Sequence, residues 1–174
     1  AECILIVCEG LSAKTYAVAG IEQGVYGKSG RDWYGILPLT GKILNTRNAA
    51  PTAIASNKVV TNIIKAIGLK HGVDYTKAEN YKNLNYGKLM IMTDADCDGI
   101  HIEGLLMNLI HSLFPSLLNR TIPFVVSMKT PIARVFVKGK GKDDLLFYDE
   151  RRFNDWLSQQ KGKVNVKYYK GLGT

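Results

Sequence analysis

The stretch MTDADCDGIHIE, residues 92–103, places Asp94, Asp96 and Asp98 at alternate positions directly before Gly99. Carboxylates two residues apart repel one another unless a cation or a proton lies between them. The pattern therefore suits a divalent ion or acid–base work. The calcium loop of an EF-hand would start at Asp94 and need a bidentate acid at its twelfth position, where Leu105 stands; Glu103 falls two residues short. That loop also follows a helix, whereas KLMIMT (88–93) reads as a buried strand. A D-x-D phosphatase would use Asp94 as nucleophile and Asp96 as general acid. Asp98 and the lack of further phosphatase motifs downstream weigh against it. A magnesium site is the third reading. Ligands of an open parallel sheet bind beyond the carboxyl ends of its strands, and Glu9 ends a second apolar run, CILIVCEG (3–10). If the two strands are neighbours, Glu9, Asp94 and Asp96 meet, and Mg²⁺ takes such oxygen ligands while keeping positions for water and phosphate. The plain alternative is a set of unrelated, solvated acids at strand ends.

The elements that must hold these acids follow from periodicity. After the strand at 3–10, Ser12 is placed to cap a helix through Ile21, with Tyr16, Ala17 and Gly20 packing closely on the sheet. Residues 22–35, rich in glycine and charge, read as loop. YGILPLTGKILN (34–45) begins as a strand and turns at Gly41. Val59, Val60, Ile63, Ile64 and Ile67 recur at helical spacing between Ser56 and Leu69, with Ser56 or Asn57 as cap. A second helix is expected over 102–118, ended or kinked by Pro115. PFVVSM, PIARVFV, DLLFY and VNVKYY then read as strands, with DERRFNDWLSQQ a short helix. Alternation over residues 1–120 predicts an α/β core, a mostly parallel central sheet with helices on both faces. Residues 121–174 are expected to be a strand-rich C-terminal part of the same domain, adding strands to that sheet.

The 174 residues suffice for one domain with a sizeable core. No run of about 18 uncharged apolar residues is present, so no membrane span is expected, nor does the start read as a secretory leader. Both ends read as cut from a longer polypeptide. Cys3, Cys8 and Cys97 lack zinc spacing and read as reduced intracellular thiols. The formal charge is +8 and uneven: Lys+Arg against Asp+Glu is 12 to 10 over residues 1–120 and 11 to 5 over 121–174. A basic excess suits a polyanion such as nucleic acid. A phosphate loop is excluded, since Glu22 stands where the Gly27-Lys28-Ser29 run needs glycine, and Gly41-Lys42 is followed by Ile43.

Four motifs in order, EGLSAK (9–14), PLTGKILN (38–45), MIMTDADCDGIHI (90–102) and KYYKGLGT (167–174), resemble the Toprim region of type IIA DNA topoisomerases. EGLLMNLIHSLFPSLL and SNKVVTNIIKAIGL are more similar to the eukaryotic enzymes than to bacterial gyrase. Leu11 replaces the aspartate of the usual EGDSA, Thr40 replaces the basic residue of PL[RK]GK, and DADCDG is closer to the bacterial form. This mixture points to a divergent member, such as one from a large DNA virus.

The resemblance implies that Glu9, Asp94 and Asp96 hold Mg²⁺ (two ions, with Mn²⁺ or Ca²⁺ as substitutes), that Asp98 supports them, and that Glu9 is a candidate general acid. It implies double-stranded DNA as partner, with contacts from Lys42, Asn45, Lys14 and Lys170. Tyr168 and Tyr169 are expected to serve strand packing. The nucleophilic tyrosine is expected in a winged-helix segment, and ATP in a separate ATPase domain, both outside this chain, within a homodimeric parent enzyme of the nucleus or of a virus-infected cell. On this reading the chain is the metal-binding half of a cleavage–religation site and inactive alone. Alternatives are a Toprim-type nuclease or primase, and a DNA-binding module that has lost catalysis.

Overall fold

The computed structural model describes residues 2–24, 29–94, 97–136 and 144–169. Four strands, β1 (Ile4–Glu9), β2 (Tyr34–Leu39), β3 (Lys88–Met92) and β4 (Val125–Met128), form one parallel sheet in the order β2-β1-β3-β4. β1 is central and pairs in register with β2 (Glu9 with Leu39) and with β3 (Cys8 with Met92). The strands end together, so their carboxyl termini share one edge.

Strand alternation divides the core into two faces. Leu5 and Val7 of β1 and Leu89 and Ile91 of β3 point to one side. There they meet α3 (Lys58–Ile67) through Val60, Ile63 and Ile67, and α5 (Cys97–Leu113) through Leu106, Leu109 and Ile110. Each of these six helix side chains is fully buried, which contributes about 2 kcal/mol apiece. Ile6, Cys8 and Met92 point to the other side and meet α1 (Gly10–Glu22) through Ala13 and Ala17. Small residues let α1 lie close to the sheet. Helices thus cover both faces, as expected.

Several boundaries differ from the sequence reading. α1 begins at Gly10, not beyond Ser12; Glu9 occupies the cap position and makes no side-chain capping bond. The packing face of α1 is Ala13, Ala17 and Ile21, while Tyr16 and Gly20 are exposed. α3 is capped by Asn57, whose Oδ1 accepts from the Val60 N–H at 3.0 Å. A short preceding helix, α2 (Pro51–Ser56), was not anticipated; Pro51 starts it and it buries nothing, so it has no apolar stripe to read. A one-turn helix, α4 (Ala78–Tyr81), lies between α3 and β3. α5 starts five residues before Ile102 because its first turn is largely exposed and carries no apolar period. It stops at Leu113, and Pro115 opens a 3-10 turn, as the proline requires.

Only β4 among the late strands joins the parallel sheet. β5 (Ala133–Phe136), β6 (Leu145–Phe147) and β7 (Asn165–Tyr168) form a separate antiparallel sheet in the order β6-β5-β7. Helix α6 (Glu150–Ser158) packs on it through Phe153 against Ala133 and Val135, building a small core of its own. Those strands therefore do not extend the first sheet, and their apolar face packs on α6 instead.

Candidate metal and nucleic-acid site

The carboxyl edge of the parallel sheet delivers four chain segments in a row. β2 leads into the loop with Lys42 and Asn45, β1 ends on Glu9, β3 runs into Asp94, and β4 runs into Lys129. Glu9 and Asp94 leave neighbouring strands, so acids 85 positions apart in sequence share one end of the sheet.

Each acid-bearing turn contains a glycine that the backbone needs, Gly10 directly after Glu9 and Gly99 five residues after Asp94. Gly10 has φ +72°, which turns the chain from strand straight into α1; glycine adopts that region more readily than any residue with a Cβ. Gly99 is needed for space instead. A Cβ there would run into the backbone carbonyl of Asp94. Thr93, 7% exposed, donates its hydroxyl to the Gly99 carbonyl at 3.2 Å and closes the same turn. The start of α5 is thus packed back against Asp94, the first aspartate of the D-x-D-x-D-G run. Asp98 lies exposed in the first turn of α5. Asp96 and Lys170 fall outside the described residues, and among the described residues no three metal-type side chains converge.

On the β2 side the site is cationic and polar. Lys42 is exposed just after Gly41, whose φ of +122° forms the turn. The Lys42 carbonyl accepts from Asn57 Nδ2 at 3.5 Å. Asn45 Oδ1 accepts from the Arg47 N–H at 3.2 Å and from Asn108 Nδ2 of α5 at 2.8 Å. Lys14 is exposed on α1, and its charge partly offsets the burial that pushes the Cys8 thiol up, which places it near the Glu9 end of β1.

On the β4 side the character reverses. A cleft of about 510 Å³ opens from Thr93 and Asp94 toward the start of α6. Its charged lining is mostly carboxylate, including Asp94, Glu103, Asp149 and Asp155, against Lys129 and Arg151. Lys129 is spent on Glu103 at 3.2 Å. Such a cleft favours cations over phosphate, so a polyanion is better received on the Lys42–Asn45 side.

No motif marks Asn108 or Lys129, and Asn57 reads from the sequence as a cap of α3 but not as the donor to the Lys42 carbonyl. Lys129 does directly follow an apolar run, whereas Asn108 carries no signal. Tyr168 is 64% exposed and stands edge-on to Phe153 at 5.6 Å, so it only borders the small core. Leu11 is 67% exposed, and nothing in the structure explains an apolar residue there. Thr40 is exposed at the end of β2, beside Lys58 in a small cleft.

Residues 4–128 match the model of the Toprim domain. Over an alignment of 187 residues the chain is 48% identical to DNA topoisomerase 2 of Invertebrate iridescent virus 6, covering 99% of the chain and 16% of that protein. It is 48% identical to human DNA topoisomerase 2-alpha over 175 residues, 99% of the chain and 11% of that protein. Among solved structures it is similar to the Plasmodium falciparum topoisomerase II DNA-binding, cleavage and re-ligation domain, with a TM-score of 0.79, 41% identity, and coverage of 99% of this chain and 22% of that one. The chain therefore spans a small part of the length of these relatives.

Proposed function

The chain belongs to the Toprim domain family, and on that premise we propose that it is the metal-binding half of the DNA cleavage–religation site of an ATP-dependent type IIA topoisomerase. The observation that carries this reading is the placement of Glu9 and Asp94 on adjacent parallel strands, at the edge that also presents Lys42 and Asn45. The similarity of the whole chain to viral and eukaryotic topoisomerase 2 supports it.

The donors fit a hard divalent ion. They are carboxylates alone, at strand ends beyond which solvent and substrate have access, and Mg²⁺ favours oxygen ligands with positions left for phosphate. Glu9 and Asp94, with Asp96 completing the set and Asp98 in support, would hold it, and Mn²⁺ or Ca²⁺ could replace it. When bound, the ion supplies charge neutralisation at the phosphate and the departing 3′-oxygen. The chain's own residues do the rest. Lys42 and Asn45 bind phosphates, with Lys14 and Lys170 as further cationic contacts. Glu9, where it is protonated, would donate its proton to the leaving oxygen. The nucleophile is a tyrosine on another segment of the enzyme, which forms a 5′-phosphotyrosyl link and reverses it. Without that tyrosine the chain alone makes no covalent adduct. Its partners are duplex DNA and the winged-helix and ATPase parts of a homodimer.

A calorimetric titration with Mg²⁺ tests the site. Because phosphate is expected to complete the shell, the chain should bind Mg²⁺ with Kd of roughly 1 mM, about −4 kcal/mol. The Asp94→Asn, Asp96→Asn double variant should lose that binding. Binding unchanged in the double variant would remove both aspartates from the metal site, and micromolar binding by the wild type would mean a preformed cage.

A further inference from the structure

We propose that Asn108 is a positioning residue that sets the amide of Asn45 for phosphate. This rests on the reading of Asn45 as a DNA contact and adds a residue to it. A carboxamide has an acceptor end and a donor end. In Asn45 the acceptor end is held twice, by the Arg47 N–H at 3.2 Å and by Asn108 Nδ2 at 2.8 Å. The Arg47 donor is backbone and cannot reverse its role, so the bond from Asn108 must also run toward the Asn45 oxygen. The Asn45 nitrogen then lies at the other end of the planar amide, away from these two donors, on an exposed residue. Phosphate oxygens only accept, and side-chain amides are among their usual donors. A flipped Asn45 would present oxygen to oxygen.

The helix that supplies Asn108 makes the restraint stiff. α5 begins beside the aspartates at Cys97 and reaches Asn108 eleven residues on, about 16 Å along its axis. Its Leu106, Leu109 and Ile110 are fully buried on the sheet. One rigid element therefore fixes both the end of the acid turn and the orientation of Asn45. The same loop is anchored nearer its start, where Asn57 holds the Lys42 carbonyl.

Binding of a fluorescent duplex DNA by the 174-residue chain, followed by anisotropy at several salt concentrations, tests this with Lys42→Ala, Asn45→Ala, Asn108→Ala and the Asn45→Ala, Asn108→Ala double variant. Asn108→Ala and Asn45→Ala should each weaken binding roughly three- to tenfold, the size of one lost hydrogen bond. The double variant should be no weaker than Asn45→Ala, because residues acting through one contact are not additive. Thermal melting checks folding, and Asn108→Leu, with the same branching and heavy-atom count but no donor, carries the test if the alanine variant melts early. An Asn108 effect that persists undiminished without Asn45, or no Asn108 effect at all, overturns the proposal while leaving Asn45 as a contact. If Lys42→Ala and Asn45→Ala both bind as wild type, or no form binds measurably, the DNA reading of the loop fails and this proposal falls with it.

Discussion

The two strand-to-helix turns that carry acids, Glu9–Gly10 and Asp94–Gly99, reach the same place by different physics. At Glu9 the helix starts on the very next residue, and the sharp change of direction is absorbed by a left-handed glycine with open space around it. At Asp94 the chain needs several residues to enter α5, and the helix then packs its glycine onto the carbonyl of the first aspartate. One turn is limited by a dihedral angle, the other by volume. A motif glycine after an acid is thus not one device but two, and the two should fail differently.

Gly99→Ala should have the largest effect. Its Cβ meets backbone, which has nowhere to retreat without opening the Thr93–Gly99 bond. Overpacking of this kind costs about 3 kcal/mol, read as a lower urea midpoint, and Mg²⁺ binding should weaken as Asp94 shifts. Gly10→Ala should cost about 1–2 kcal/mol, the strain of a left-handed alanine alone. Gly10→Asn should cost less, since asparagine tolerates that region, whereas no side chain should rescue position 99. Equal losses for Gly10→Ala and Gly99→Ala, or a rescue at position 99, would erase the distinction between the turns.

The contrast also explains what the sequence made legible. The strands before both acids, and the parallel sheet that joins them, were readable because buried strands are continuous apolar runs. The start of each helix was misplaced by two to five residues, because these first turns sit at an open edge and carry function-bearing or small residues instead of an apolar stripe. Capping residues were sought at Ser12 and not at Glu9, since a positive φ replaces the usual cap. The separate antiparallel sheet was hidden for another reason: Ala133, Val135 and Phe147 look the same in sequence whether α6 or the first sheet covers them. Of the proposed site, Glu9 and Asp94 are legible from strand-end position, and Lys42 and Asn45 from the motif resemblance. Asn57 is legible only as a helix cap, and Asn108 not at all, because an asparagine on a helix announces neither its reach nor its partner.

A smaller effect separates the turns through their cysteines. Cys8 precedes Glu9 and is fully buried between β1's neighbours and α1, while Cys97 opens α5 and is exposed. Burial raises the Cys8 thiol above its usual value of 9.0, with the Lys14 charge opposing but not cancelling the shift. Below the unfolded pKa the thiol is neutral in both states, and this contribution is fully present. As pH rises past about 9, the unfolded chain sheds its proton first and gains relative to the folded one. Stability should fall until pH passes the folded value, by at most about 1.4 kcal/mol per pH unit. Urea unfolding of wild type and Cys8→Ala between pH 7 and 10 isolates the term: their difference should be constant below pH 8 and move against the wild type above pH 9. Alkylation at pH 7.5 should meanwhile label Cys97 well before Cys8. Equal labelling rates would mean that the Glu9 turn opens as readily as the Asp94 turn, and that its buried cysteine is no measure of its rigidity.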